Sequence, residues 1–235
     1  MVKIAEKFEK NETIGMEPLS ISEKINNFIQ KKRKVLVIGM ISIIVLLVVL
    51  IAVLSIRDTL QSKALSKVED FTRRYEVLRV DVNEPSKETE VTALVDELAA
   101  FAPKNSGYAG ARGYAMLASI HGDKKNWEAA EKAWTNAARI GAKTYLAPVS
   151  LFNAAVAAEE QDNIPGAIAL YEESVSLGAI FPAAPKAQFS IGRLQEAQNN
   201  KDAAIEAYRT LMSTWPNDTT WTNLAQNRII FLTAQ

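Results

Sequence analysis

The sequence predicts an all-α protein with a single N-terminal transmembrane helix, a helical solenoid and a C-terminal capping helix. Three observations predict it. Val35 to Ile56 form an uncharged run of 22 residues. Beyond it, small and aromatic residues recur at intervals of 37. The remaining segments carry apolar residues at helical spacing rather than alternating along strands.

The apolar run reads VLVIGMISIIVLLVVLIAVLSI. As a helix it measures about 33 Å, enough to cross a hydrocarbon core of about 30 Å. In lipid every backbone amide needs an internal partner, so the β-branched residues do not argue for a strand. No small-x-small site follows at Leu54-Ser55-Ile56-Arg57, and the chain has no cysteine for acylation. The run therefore reads as an uncleaved anchor rather than a signal peptide. The net charge of zero hides a division: residues 1–34 carry eight basic and five acidic groups, 35–56 none, and 57–235 nineteen and twenty-two. Lys31, Lys32, Arg33 and Lys34 abut the run. By the positive-inside rule they place residues 1–34 in the cytoplasm and 57–235 outside it.

Residues 1–19 mix Lys and Glu with Gly15 and Pro18 and are expected to form a flexible tail. Ser20-Ile-Ser-Glu23 has the form of a capping box. Ile21, Ile25, Phe28 and Ile29 then make one stripe beside Lys24 and Lys31 to Arg33. Residues 20–34 read either as a short amphipathic basic helix on an anionic leaflet or as an extension of the membrane helix.

The repeat sets the rest. Ala130, Ala167 and Ala204 are 37 apart, as are Trp134, Tyr171 and Tyr208. Ahead of them lie Leu117-Ala118, Ala154-Ala155 and Ile191-Gly192. The unit is a helix–turn–helix. Its small residue admits a close neighbour, and the aromatic one turn on fills the gap to the next unit. Gly141 and Gly178 are expected at helix C-termini with positive φ, and Pro148 and Pro185 in the first turns that follow. Val68, Phe71, Tyr75 and Leu78, then Val91, Val95, Leu98 and Phe101, suggest a degenerate first copy, broken at Asn83 to Ser86. Thr219 to Leu232, with Trp221, Leu224, Arg228 and Phe231, makes the cap.

This pattern resembles tetratricopeptide repeats, lengthened by three residues in the Gly-to-Pro connection. The expected division is therefore a tail at 1–19, the basic segment 20–34 and a transmembrane helix at 35–56. A tetratricopeptide-type helical solenoid follows over 57–235, with repeats at about 68–103, 111–144, 148–181 and 185–218 and a cap at 219–235. The helix after the span has no Gly or Pro to separate it, so continuity with the membrane helix is expected. With Ile25-Asn-Asn-Phe28-Ile29 before the basic cluster and Trp215-Pro216 closing the last repeat, the order resembles the bacterial ancillary Sec-translocon subunit family (YfgM-type). That resemblance implies the bacterial cytoplasmic (inner) membrane, with a cytoplasmic N-terminus and a periplasmic scaffold. It also implies translocon or envelope-chaperone partners. The alternative is a structural adaptor in envelope or division complexes, self-associating.

In such a solenoid the first helices of successive repeats line a groove for proteins or peptides. The candidate contacts are Arg112, Ala115 and Ser119; Val149, Phe152 and Val156; and Lys186, Phe189 and Arg193. Lys186 and Arg193 would meet anionic groups, and Glu159, Glu160 and Glu196 would line one rim. Phe152 and Phe189 have a second reading, as core between repeats. Catalytic, metal and cofactor sites are not expected. The chain lacks cysteine, and its one histidine, His121, reads as helix packing. The paired acids Asp96-Glu97, Glu159-Glu160 and Glu172-Glu173 point apart on their helices and read as solvated faces. Gly107 to Gly113 follow no strand, so they read as close packing and not as a nucleotide loop. The charge balance offers no field for nucleic acid.

Overall fold

A computed structural model describes residues 20–79, 85–177 and 181–234. The chain divides into two compact units, Met1–Arg57 and Asp58–Gln235. The expected tail at 1–19, the break at Asn83 and the Gly178 turn lie outside the described residues. So does the side chain of Glu23, and with it the capping box.

Helix α1 runs Ile21–Arg79. In the first unit its residues 21–56 form one uninterrupted helix, so residues 20–34 extend the apolar stretch rather than forming a helix of their own. Nothing there interrupts the backbone bonds: Gly39 sits in open space, and Ser42 donates its hydroxyl to the Ile38 carbonyl at 2.9 Å. Every large apolar side chain from Val35 to Ile56 is exposed. The helix is long and apolar enough to cross a membrane. A helix that is hydrophobic all round needs a protein core or a bilayer around it, and the described residues of its own unit supply no core.

The second unit is all-helical among the described residues. After α1 come α2 (Pro85–Phe101), a 3₁₀ turn (Ala102–Lys104), α3 (Gly107–Asp123), α4 (Trp127–Ile140), α5 (Leu146–Glu159), α6 (Ile164–Leu177), α7 (Ala184–Ala197), α8 (Lys201–Thr214) and α9 (Thr219–Thr233). From α2 onward each helix packs on the next. Helix α2 starts at Pro85, earlier than expected, because a first-turn proline gives up only an N–H that has no helical partner anyway.

Three apolar clusters follow one another along the solenoid. The first joins Phe71, Tyr75 and Leu78 of α1 to Val91, Leu94 and Leu98 of α2 and Leu117 and Ile120 of α3. The second is built around Tyr171, Ile191 and Leu194, and the third around Tyr208, Leu211 and Ala225. Ala130, Ala167 and Ala204 are all buried, which permits the close approach of paired helices.

Gly141 does not take the positive φ expected of it; it caps α4 with φ −89°. Glycine is needed there for room: a Cβ would lie 2.9 Å from the Cβ of Ala111. Apart from Gly107 at φ 65°, the left-handed residues among those described are Lys125, Asp162 and Asn199, themselves 37 apart, at φ 58°, 57° and 60°. Each closes the first helix of a repeat in a Schellman motif. Asn126 N–H donates to the His121 carbonyl at 2.8 Å, Asn163 to Ala158 at 3.0 Å and Asn200 to Gln195 at 2.9 Å. The following Asn also starts the next helix; Asn163 Oδ1 accepts from Gly166 N at 3.2 Å. Asp and Asn tolerate this conformation, whereas lysine has no local bond to offset it. Lys125→Gly is expected to raise stability by about 0.5–1 kcal/mol, and Asn199→Val to lower it; denaturant midpoints of the two variants check the pair.

Candidate binding groove

The first helices α3 and α5, with α4 and residues 72–79 of α1, line an open cavity of about 540 Å³. Among the candidate contacts Arg112, Ser119 and Val156 line it, and so do Asn153, Trp127 and Trp134. On the α1 side Tyr75 Oη donates to Asp123 Oδ2 at 2.7 Å, and Arg79 Nε lies 3.3 Å from the same oxygen. Arg112 sits over the Tyr108 ring, 6.0 Å from its centre, and reaches Glu69 only at 3.8 Å.

Other candidates are placed differently. Phe152 stacks edge-on with Tyr171 at 5.3 Å and Phe181 at 6.0 Å. Phe189 packs between Tyr208 at 5.2 Å and Trp221 at 5.4 Å. Both rings thus fill inter-repeat core. Lys186 is exposed with its ammonium 5.3 Å over the Phe152 ring. Arg193 pairs with Glu159, so its guanidinium is already committed. Glu159 and Glu196 are not solvated rim groups either; their side chains are only 19% and 13% exposed. Glu160, Glu172 and Glu173 do face solvent. Trp134 is half-buried, unlike the buried Tyr171 and Tyr208.

These contacts compose a repeated staple. Tyr171 Oη donates to Glu159 at 2.7 Å while Arg193 of the next repeat binds the other carboxylate oxygen. One repeat on, Tyr208 Oη donates to Glu196 at 2.8 Å, and Arg228 of the cap binds through Nε at 3.0 Å and through Nη2. The Glu-to-Tyr spacing of twelve, seen twice 37 apart, was the available sequence signal. Burial pushes both phenols upward, reinforced by the carboxylates. Burial also pushes Glu196 up, but the bonds from Arg228 and Tyr208 outweigh it and hold the carboxyl below its ordinary 4.5. A lowered folded value means the unfolded chain binds the proton more readily. This contribution is therefore full above about pH 4.5 and is lost as the pH falls through the folded value. Arg228→Met should cost about 1–2 kcal/mol at pH 7, less than a fully buried pair because Arg228 is partly exposed. The cost should shrink as the pH falls below about 4.5, as read from denaturant midpoints across that range.

His121 packs at the end of α3; burial, then Lys124, holds its imidazole below the usual range. Gly110 and Gly113 give the close packing expected of the glycine-rich start of α3. Among the described residues no cluster of His, Asp or Glu could hold a metal.

The tetratricopeptide repeat family profile matches residues 186–218. A TPR repeat-containing protein of Treponema pallidum (strain Nichols) is 30% identical over 223 residues, covering 88% of this chain and 92% of that protein. The chain belongs to the tetratricopeptide repeat proteins. Two crystal structures of nearly identical TPR-like repeats from a candidate kinesin light chain of Podosopora anserina, one of them a point variant, share the fold. They cover 70% of this chain and 86% and 85% of their own, with TM-scores of 0.50 and 0.51 at 14% identity. The staples and Schellman turns thus belong to a tetratricopeptide solenoid, a fold that serves as a scaffold for binding proteins or peptides and is typically not catalytic.

Proposed function

We propose that this tetratricopeptide protein is a single-pass, membrane-anchored interaction scaffold. Its solenoid lies outside the cytoplasm and assists translocon-linked export or envelope protein folding. The observation that carries the reading is the wholly exposed, charge-free stretch 35–56 in the same chain as a peptide-sized groove. Burying those side chains in lipid would gain about 1.5–3 kcal/mol for each large one. The match to the Treponema relative spans too much of the chain to omit this stretch. Lys31 to Lys34 support a cytoplasmic N-terminus, and the overall order supports a YfgM-type role. Reporter fusions at residues 10 and 235 test the orientation. An exported signal only at residue 235, with crosslinks from the solenoid to translocon or envelope-folding proteins, is expected. A cytoplasmic signal at residue 235 overturns the proposal.

One observation favours the self-associating adaptor. Leu224, Ile230 and Phe231 leave apolar surface exposed on the cap helix α9. Sedimentation of the full chain in detergent separates the two readings: a tight dimer without translocon crosslinks supports the adaptor.

A further inference from the structure

The groove lies where one staple is missing. The position of Glu159 and Glu196 is Gly122 one repeat earlier, that of Tyr171 and Tyr208 is Trp134, and that of Arg193 is Val156. All three replacements line the 540 Å³ cavity. At the later junctions carboxylate, phenol and guanidinium fill the same space and join neighbouring helices. At the first they are replaced by a bare backbone, an indole and an isopropyl group.

We propose that this gap is a side-chain pocket that receives one large apolar residue, Phe, Leu or Ile, of a partner's peptide segment. The chemistry of the lining favours that occupant. The three residues at the gap carry no charge, and Met116, Trp127 and Ala157 add apolar lining, so an apolar side chain buries its surface there without desolvating an ion. Glu76, Arg79, Arg112 and Asp123 also line the cavity; Arg79 pairs with Asp123, Tyr75 completes that carboxylate's bonds, and Arg112 lies 3.8 Å from Glu69. Asn153 lines the same cavity, half-buried, and its side-chain amide bonds to none of the described residues. An amide so placed offers a donor and an acceptor to a peptide backbone, which carries one of each per residue. The volume falls in the range of about 300–1,000 Å³ typical of ligand pockets.

The pocket rests on the reading of the solenoid as a peptide-binding module, and the test separates the two. A random twelve-residue peptide display library is panned against the full chain in detergent. In parallel it is panned against a variant in which the staple is rebuilt: Gly122→Glu, Trp134→Tyr and Val156→Arg. A Cβ at Gly122 meets only the edge of Trp127 at 3.5 Å, and Val156 is exposed, so both additions have room. Val156→Arg alone serves as a second variant. Recovered peptides should share a Phe, Leu or Ile at one position and bind the rebuilt variant at least tenfold more weakly. Asn153→Ala should weaken them about tenfold. The rebuilt variant should unfold at no lower denaturant concentration than the parent. Peptides that bind parent and variants equally overturn the pocket and leave the binding module standing. So does enrichment of acidic or basic residues at the shared position. Recovery only of sequences matching this chain would identify a second copy as the occupant and overturn the partner peptide. Recovery of no peptide overturns the pocket and the peptide-binding reading together.

Discussion

Tyr208→Ala should lower stability by about 3–5 kcal/mol, the range for deleting a large buried aromatic ring. Tyr208 is fully buried. It stacks with Phe189 and donates to Glu196. Its ring fills the space left by Gly192, where a Cβ would sit 2.5 Å from Cε1. Tyr208→Phe keeps the ring and removes one hydrogen bond, so a loss of about 1 kcal/mol is expected. Gly192→Ala should cost about 1–3 kcal/mol by overpacking the same ring. Trp215 and Trp221 pack against this cluster and supply the fluorescence signal for denaturant unfolding. A solenoid couples mainly through nearest neighbours. Hydrogen exchange should therefore accelerate in α7 to α9 well before the cluster of Phe71, Leu94 and Leu98. A Tyr208→Ala loss no larger than that of Tyr208→Phe would show that the ring is not what holds the cap in place.

Gly110→Ala is the second large effect, with an expected loss of about 3 kcal/mol or more. Overpacking usually costs about 1–3 kcal/mol, and the upper end applies where backbone must move. The added methyl would meet the Asn105 carbonyl group, with its carbon at 2.8 Å, and the Ala102 oxygen at 3.2 Å. That backbone is pinned. Asn105 Nδ2 donates to the Phe101 carbonyl at 2.8 Å, and Gln61 Nε2 donates to the Ser106 carbonyl at 3.0 Å. Gly113→Ala meets only side chains, chiefly the Phe101 ring at 3.1 Å, and should cost about 1 kcal/mol. Gly122→Ala has ordinary contacts and should gain about 0.5–1 kcal/mol from helix propensity. The order Gly110, Gly113, Gly122, read from thermal midpoints, tests whether these glycines serve close packing. Equal effects at all three would reject it.

Different parts of the architecture were legible to different degrees. The period of 37 could be read because each repeat must present the same small and aromatic residues to its neighbours. On α2 the expected stripe runs through Val91, Val95, Leu98 and Phe101, yet Leu94 is fully buried as well. Gly141 misled because glycine suggests positive φ, while its place beside Ala111 demands only the absence of a Cβ. Lys125 takes a left-handed turn that its residue type does not favour, whereas Asp and Asn, which stand at the equivalent positions 162 and 199, tolerate it. For the groove, Arg112, Ser119 and Val156 could be placed by repeat phase. The commitment of Arg193 to Glu159 could not, because the pair lies 34 residues apart and depends on how α5 and α7 meet.

The sequence by itself determined that this is a helical repeat chain with a charge-free stretch long enough for a bilayer. Those properties reside in periodicity and composition, which need no third dimension. Only the tertiary structure decided which polar groups are spent inside the solenoid and which remain open to a partner. That division depends on distances between side chains of successive repeats. It turns Glu159, Arg193, Glu196 and Arg228 into staples and leaves the junction at Gly122, Trp134 and Val156 as the open one.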